Sequence, residues 1–229
     1  MPAFQGYPAD TLKFLRTLKR KNEREWFNKN KSRYEDGIVT PSLQFIADMG
    51  ENLGSISPHF LAVPKKSGGS MMRIYRDTRF GKDKSPYKTN IGIHFRHEVG
   101  KDVHAPGFYV HVEPKSVFLG VGIWHPEAKV AKVIREAIVE DPAMWKKATR
   151  GKAFTSKLTL TGESLKRPPR GFDPEHALIE DLKRKDFMAI AELDEAAIES
   201  PAFVKDAVST FKKAKPMMQF LCNALDLPF

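Results

Sequence analysis

The sequence predicts an α+β protein in which a central antiparallel sheet is flanked by N-terminal and C-terminal helices. Apolar residues recur at helical spacing in residues 1–55, and they alternate with polar residues at every second position between residues 89 and 124. Helical spacing then returns, mixed with short strands, over residues 126–229. Since no repeat, low-complexity tract or linker separates these regions, we expect a single domain over residues 1–229, with a sheet and a basic motif in residues 70–125.

Three helices are predicted before residue 55. The first covers residues 11–21 with Asp10 as its N-cap. The second covers residues 22–36 and ends at Gly37; its aromatic residues either pack into the core, which we favour, or stack on nucleic-acid bases. The third begins at Pro41, since proline is well suited to the first turn of a helix.

The middle of the chain is predicted to form strands. Residues 54–70 are rich in Ser, Gly, Pro and Lys, which indicates a loop. The strands that follow are predicted at residues 71–75, 89–98, 107–114 and 117–124. The last two are separated by a turn of hairpin length, so we expect them to pair antiparallel.

The C-terminal region is predicted to be mostly helical. Pro216 is expected to kink or divide the long final helix, because proline lacks the backbone N–H that a helix interior requires. The predicted elements are helices at residues 126–140, 141–147, 174–185 and 201–225, with strands at residues 157–161 and 187–193.

The composition is that of a folded protein with a basic balance. Its 229 residues include 38 Lys or Arg and 28 Asp or Glu, a formal net charge of +10. The single Cys222 excludes a disulfide scaffold and an all-cysteine metal site. No apolar run approaches the length of a membrane span, and residues 1–21 lack the apolar stretch of a secretory signal. We therefore expect no membrane partner and a cytoplasmic location.

Most of the positive charge lies in one segment. Residues 65–101 contain 10 basic and 3 acidic side chains, a net charge of +7, whereas residues 1–64 and 102–229 carry +2 and +1. A charge concentrated in this way indicates a binding site for an anion, whereas an evenly distributed charge affects mainly solubility.

Within that segment, residues 73–88 form the densest group of charges and turn residues. Arginine forks and lysine ammonium groups are suited to phosphate or carboxylate recognition. The predicted anion-binding residues are Arg73, Arg76, Arg79, Lys84, Tyr87 and Lys88. Asp77 and Asp83 are predicted to orient these cations through charge-assisted hydrogen bonds, and backbone N–H groups of residues 67–70 are a further possible source of donors.

Three other interpretations of residues 73–88 remain open. Alternating Arg and Asp residues also form ordinary surface networks of little energetic value. In a nucleic-acid-binding module, the cations contact backbone phosphates while Tyr75, Phe80 or Tyr87 stacks on bases. In a scaffold protein, the same segment docks an acidic partner protein. We favour an anionic small-molecule ligand, because charges fixed around turns suit a preorganised pocket.

The run R-x-x-R-D-x-R-F-x-x-D-K-x-x-Y at residues 73–87 resembles the signature of an uncharacterised bacterial and fungal family, domain of unknown function 2461. The resemblance extends over essentially the whole chain, through E-W-F at residues 25–27, P-G-F-Y-V-H at residues 106–111 and K-R-P-P-R-G-F at residues 166–172. It implies no established activity, cofactor or catalytic residue. Gly81 stands where the family often has serine, which argues against serine chemistry here.

A second candidate site lies on one face of the predicted sheet. Strand alternation places His94, Tyr109 and His111 on the face opposite the apolar residues, together with several glycines. This face is either the floor of a groove or the surface on which a helix packs. His111, Tyr109 and Asp77 are the candidates for acid–base catalysis.

Cofactor signatures are absent from the sequence. A two-His-one-carboxylate metal site would use His94, His111 and Glu113, but no characteristic spacing supports it, and we expect no metal and no cofactor. Neither G-x-G-x-x-G after a strand nor G-x-x-x-x-G-K-[ST] occurs. The sequence thus predicts an anionic ligand without indicating whether the protein is an enzyme.

Overall fold

The centre of the protein is a six-stranded antiparallel sheet. The computed structural model describes residues 1–79, 81–100 and 105–229. The strands are β1 (Phe60–Leu61), β2 (Ile91–His97), β3 (Gly107–Glu113), β4 (Ser116–Ile123), β5 (Thr159–Thr161) and β6 (Phe187–Leu193). They lie side by side in the order β1-β2-β3-β4-β6-β5. The long connection after β4 therefore brings the chain back to the sheet at β5, and β6 then pairs between β5 and β4.

The described parts of the chain also form helices, before and after the strands β2, β3 and β4. They are α1 (Asp10–Arg20), α2 (Arg24–Lys29), α3 (Lys31–Tyr34), α4 (Thr40–Leu53), α5 (Ala128–Glu140), α6 (Pro142–Arg150), α7 (Lys152–Thr155), α8 (Ile179–Leu182) and α9 (Phe203–Ala224). A π-helical turn at Glu35–Val39 joins α3 to α4, and a 3₁₀ helix at Glu195–Glu199 precedes α9. No helix in the described residues is long and apolar enough to cross a membrane.

The core lies between one face of the sheet and the helices α4 and α9. Phe211 of α9 packs against Phe108 of β3 with ring centroids 4.7 Å apart, and Phe45 of α4 stacks on Phe203 of α9 at 5.0 Å. The inward residues of β2, β3 and β4 are buried, as the two-residue alternation predicts. The predicted α+β fold class is thereby confirmed.

The region between α1 and α4 differs from the prediction. The predicted second helix is interrupted at Asn30, whose side-chain amide donates to the carbonyl of Trp26 and ends α2. Gly37 does not end a helix, because it lies within the π-helical turn and its carbonyl accepts a hydrogen bond from the Thr11 hydroxyl at 2.7 Å. Asp10 is not a cap; its carboxylate binds Arg33 instead.

The predicted strand at residues 71–75 forms only two isolated bridges, Met71 with Ile93 and Tyr75 with Tyr87. The reason lies at the edge of β2. The predicted loop at residues 54–70 contains β1, which pairs with the C-terminal end of β2. On that side of β2, only the N-terminal part is left unpaired, and Met71 bridges to it at Ile93. Beyond Met71 the chain leaves the sheet and forms the basic segment described below.

The C-terminal region differs from the prediction in two places. Only Ile179–Leu182 of the predicted helix at residues 174–185 is helical, because Asp173 and His176 side chains accept backbone N–H groups two residues ahead and form turns instead. Pro216 does not divide α9, which continues through it. Pro216 itself lies on the exposed side of that helix, away from the packed core.

Candidate functional site

The basic segment, residues 73–88, is a narrow excursion whose two arms are held together by backbone hydrogen bonds. The Arg76 N–H donates to the Pro86 carbonyl at 2.9 Å, and the Lys88 N–H donates to the Ile74 carbonyl at 2.7 Å. These bonds flank the Tyr75–Tyr87 bridge. The arms therefore form a short antiparallel ladder that lies outside the main sheet and fixes the position where the segment begins and ends.

Tyr87 anchors this segment in the core. Its side chain is 3% exposed and stacks on Phe27 of α2 with ring centroids 4.1 Å apart. The Asn22 side chain pairs with the backbone of Tyr87 twice, since it donates to the carbonyl at 2.9 Å and accepts from the N–H at 3.0 Å. The predicted role of Tyr87 as a contact of the anion does not match this buried position, and its ring instead supports the segment from below.

The two acidic residues of the segment each hold one arginine. Asp77 accepts two hydrogen bonds from the Arg79 guanidinium, at 3.0 and 2.7 Å. Asp83 binds Arg76 and also accepts from the Ser85 hydroxyl at 2.6 Å. Hydrogen bonds from Arg79 lower the pKa of Asp77, and those from Ser85 and Arg76 lower the pKa of Asp83, so both carboxylates are ionised at neutral pH. Each of the two carboxylates is thus paired with an arginine of the same segment.

Two cations at the base of the segment, Arg73 and Lys88, lie close enough to interact unfavourably. Burial, and then the charge of Arg73, lower the pKa of half-buried Lys88. Neither side chain forms an ion pair or hydrogen bond with the described residues. The charge of Arg73 also acts on Asp77, but both oxygens of that carboxylate bind Arg79.

The remaining candidates of the segment lie at its tip. The Lys84 ammonium donates to the Thr78 carbonyl at 2.8 Å, and Lys82, a further cation of the segment, is exposed. Phe80, which the nucleic-acid interpretation includes, lies outside the described residues. Of the backbone N–H groups predicted as donors in residues 67–70, that of Ser70 donates within the protein, to the Val63 carbonyl at 2.8 Å.

The second candidate site is the outer face of the sheet, defined by His94, Tyr109, His111 and Phe118 together with Glu113. The Tyr109 hydroxyl lies 3.2 Å from Nδ1 of His111, and Nε2 of His111 lies 3.5 Å from Oε2 of Glu113. The His111 ring stacks on Phe118 at 4.6 Å. One strand thus presents a tyrosine, a histidine and a glutamate, at alternate positions, as a connected chain of polar groups.

Burial sets the charge states on this face. Desolvation lowers the pKa of His94 to about 4 and raises the pKa of Tyr109 to about 12. Desolvation also lowers the pKa of His111, while the hydrogen bond and charge of Glu113 act in the opposite direction. At neutral pH the two imidazoles and the phenol are therefore uncharged.

The glycines of the outer face make room for these rings. A Cβ on Gly107 would lie 2.2 Å from Nε2 of His94, and a Cβ on Gly92 would lie 2.8 Å from the Tyr109 hydroxyl. At these two glycines, the backbone is thus approached closely by side chains, those of His94 and Tyr109, rather than by a helix. The helices α4 and α9 pack on the opposite face of the sheet.

The outer face and the basic segment meet at the start of β2. The Thr89 hydroxyl, next to Lys88 in the chain, donates to Oε1 of Glu113 at 3.1 Å. The Met72 sulfur, next to Arg73, lies 2.9 Å from the position of a Cβ on Gly92, on the same side as the Tyr109 hydroxyl. Lys19 of α1 also reaches Glu113, at 3.3 Å.

Sequence reasoning missed three residues that connect these elements, namely Asn22, Thr89 and Lys19. No local pattern marks them, because each acts on a residue more than twenty positions away in the chain. The second basic run, residues 166–171, follows β5 at the other edge of the sheet from the basic segment, so it does not border the same site.

The described residues contain no group of three His, Cys, Asp or Glu side chains placed to hold a metal ion. A family model described as "Conserved hypothetical protein (DUF2461)" matches residues 10–220. No curated protein and no solved structure matches the chain. Because the family model covers nearly the whole chain, including the basic segment and the outer face, the protein belongs to the DUF2461 family of conserved hypothetical proteins.

Proposed function

We propose that the basic segment binds the phosphate or carboxylate group of a small anionic molecule, with Arg73 and Lys88 as its first contacts. The observation that supports this proposal is the proximity of two cations that lack an anionic partner among the described residues. Keeping a half-buried ammonium beside a guanidinium costs free energy, because burial and like charge both disfavour the charged form. A bound oxyanion offsets this cost by neutralising both groups.

The tip of the segment supplies further positive charge for a second acidic group on the ligand. Asp77 and Asp83 hold Arg79 and Arg76 in fixed positions, so less side-chain entropy is lost when an anion binds. Lys84 is similarly held by the Thr78 carbonyl. In this proposal the acidic residues orient the cations, and Tyr87 stabilises the segment without touching the ligand.

Binding of nucleic acid is a second candidate function, favoured by one observation. Tyr75 is 56% exposed and lies between Arg73 and Arg76 in the chain, which offers an aromatic ring for base stacking beside cations for backbone phosphates. In this case the exposed segment contacts several phosphates along a strand, and binding falls steeply with salt.

The test compares inorganic phosphate, pyrophosphate and a random 20-nucleotide single-stranded DNA, each titrated into the protein by calorimetry at 50 and 200 mM salt. We expect saturable 1:1 binding of pyrophosphate. The double variant R73Q/K88Q is expected to weaken it at least tenfold, about 1.4 kcal/mol, because both first contacts are lost. The control K166Q/R167Q removes the same charge at the other edge of the sheet and is expected to bind as the unmodified protein does.

Each contrary outcome has a definite meaning. Tight DNA binding with a steep salt dependence, but no binding of either phosphate compound, would replace the small-molecule proposal by the nucleic-acid one. Equal losses in R73Q/K88Q and the control would indicate attraction to net charge alone. Absence of binding by all three compounds would exclude an anion site for phosphates on this segment.

A further inference from the structure

The chain of polar groups on β3 has a preferred direction of hydrogen bonding. Glu113 is surrounded by donors, namely the Thr89 hydroxyl at 3.1 Å, the Lys19 ammonium at 3.3 Å and Nε2 of His111 at 3.5 Å. An ionised carboxylate only accepts, so neutral His111 carries its proton on Nε2. Its Nδ1 is then an acceptor, and the Tyr109 hydroxyl donates to it across 3.2 Å.

Protonation of His111 reverses the last of these bonds. The second proton of an imidazolium resides on Nδ1, which then donates to the Tyr109 oxygen. The hydroxyl hydrogen of Tyr109 must then turn away from His111 and is available to another acceptor. One proton taken up by His111 thus converts Tyr109 from a donor within the protein into a donor towards the outside of the sheet.

We propose that Tyr109 and His111 form a proton-coupled oxyanion subsite adjoining Arg73 and Lys88, in which uptake of one proton by His111 directs the Tyr109 hydroxyl to an oxygen of the bound anion. This inference rests on the proposed function and adds two contacts and a dependence on pH to the same site. The ligand class is a phosphate- or carboxylate-bearing molecule that binds together with one proton.

The position of the Tyr109 hydroxyl relative to the basic segment supports this subsite. A Cβ on Gly92 would lie 2.8 Å from the Tyr109 hydroxyl and 2.9 Å from the Met72 sulfur. The Tyr109 hydroxyl and the Met72 side chain are therefore neighbours above Gly92 on the outer face. Arg73 follows Met72 directly. On the other arm, Lys88 precedes Thr89, whose hydroxyl contacts Glu113. The basic segment thus starts and ends next in the chain to two residues, Met72 and Thr89, that lie against the two ends of the polar chain.

The charged groups around His111 decide in which pH range the subsite changes. Glu113 on the same strand favours the imidazolium, and Lys19 of α1 partly offsets that carboxylate. The residues facing His111 on β2 and β4 are Gly92 and Phe118, which carry no charge, while Glu192 of β6 lies beyond Phe118. His94 is uncharged near neutrality, because burial lowers its pKa to about 4. Burial keeps His111 neutral at pH 7.5, so anion binding near pH 6 brings a proton with it.

The experiment uses sulfate, whose charge does not change between pH 5.5 and 7.5. Calorimetric titration at pH 6.0 in two buffers of different ionisation enthalpy measures the number of protons taken up on binding. We expect an uptake of up to one proton and an affinity at least fivefold higher at pH 5.5 than at pH 7.5. We also expect sulfate to raise the pKa of His111, measured by NMR of histidine-labelled protein.

Two variants isolate the two groups. H111Q is expected to remove the proton uptake, and Y109F is expected to weaken binding at pH 5.5 about fivefold while changing it little at pH 7.5. H59Q is the control, because His59 also contacts a carboxylate, that of Glu98, but lies on the β1 side of the sheet. It is expected to retain the uptake.

The failures are distinguishable. If sulfate binds at neither pH, the anion site itself is excluded. If sulfate binds, depends on Arg73 and Lys88, and shows no proton uptake and no change in the pKa of His111, the subsite is excluded while the proposed function remains. If the uptake persists unchanged in H111Q, another group takes up the proton and the inference is overturned.

Discussion

Single polar side chains determine where the candidate site lies relative to the core. The Asn22 side-chain amide binds both the N–H and the carbonyl of Tyr87, as the backbone of a neighbouring strand would. Thr89 links the arm that contains Lys88 to Glu113 on β3. Neither residue stands out in the sequence, because a lone Asn or Thr is common in loops and its partner becomes visible only when the chain is folded.

The first prediction concerns His94, whose pKa is lowered to about 4 by burial and, less strongly, by Arg96. In the unfolded chain its pKa is close to 6.5, so between pH 6.5 and 4 the unfolded state binds a proton that the folded state does not. Stability is therefore lost as the pH falls through this range. We expect the free energy of unfolding to fall about 2 kcal/mol more between pH 7 and pH 5 in the unmodified protein than in H94Q.

Urea unfolding at the two pH values measures this difference. His111 contributes a loss of the same sign in both proteins, so it cancels in the comparison. Equal losses in the two proteins would show that His94 titrates near its ordinary pKa in the folded state.

Among the elements, the strand β4 shows how two glycines two residues apart differ in their roles. Gly122 has a positive φ of 109°, and a Cβ there would lie 2.1 Å from the Phe187 carbonyl oxygen of β6. A Cβ on Gly120 would first meet the Tyr109 Cβ at 3.6 Å, an ordinary contact distance. The pairing of β4 with β6 therefore requires glycine at position 122 but tolerates a methyl group at position 120.

The second prediction follows from this contrast. G122A is expected to lower the free energy of unfolding by about 2–4 kcal/mol, through the strained φ and displacement of β6. G120A is expected to change it by less than about 1 kcal/mol, since alanine fits and reduces the freedom of the unfolded chain. Denaturant unfolding of both variants measures the two values. If both variants lost a similar free energy of unfolding, the contact with the β6 backbone would not be what requires glycine at position 122.

The basic segment is the element for which sequence reasoning succeeded only in part. Its charge and its turns are visible in the sequence, and the pairing of Asp77 with Arg79 follows from their closeness along the chain. The pairing of Asp83 with Arg76 depends on the ladder that brings the two arms together. That same ladder brings Lys88 opposite Ile74, next to Arg73 in the chain.

For the whole molecule, the core joins residues from both ends of the chain. Phe4 contacts Phe45 at 5.4 Å and Phe203 at 6.3 Å, and the Tyr7 N–H donates to the Ile198 carbonyl at 2.8 Å. Helices before and after the sheet thus share one set of buried contacts. This continuity supports the expectation of a single domain, in which neither half retains its packing without the other.

The third prediction tests that expectation. Single-tryptophan variants that keep only Trp26 or only Trp145 report on the helical regions before and after the strands β2, β3 and β4. In each variant we expect the tryptophan fluorescence and the far-UV circular dichroism to change at the same urea concentration, because the shared core unfolds in one step. A fluorescence midpoint that differs from the circular dichroism midpoint in either variant would indicate two separately folding units.

The sequence by itself determined the α+β class, the limits of β2, β3, β4 and β6 to within two residues, and the concentration of positive charge before β2. These properties depend on side-chain periodicity and composition, which are local. Only the tertiary structure decided that Tyr87 is buried, that Lys88 feels the charge of Arg73, and that Tyr109, His111 and Glu113 form a connected chain. The reason is physical: burial, desolvation and ion pairing depend on distances between segments far apart in sequence, and the chain must fold before those distances exist.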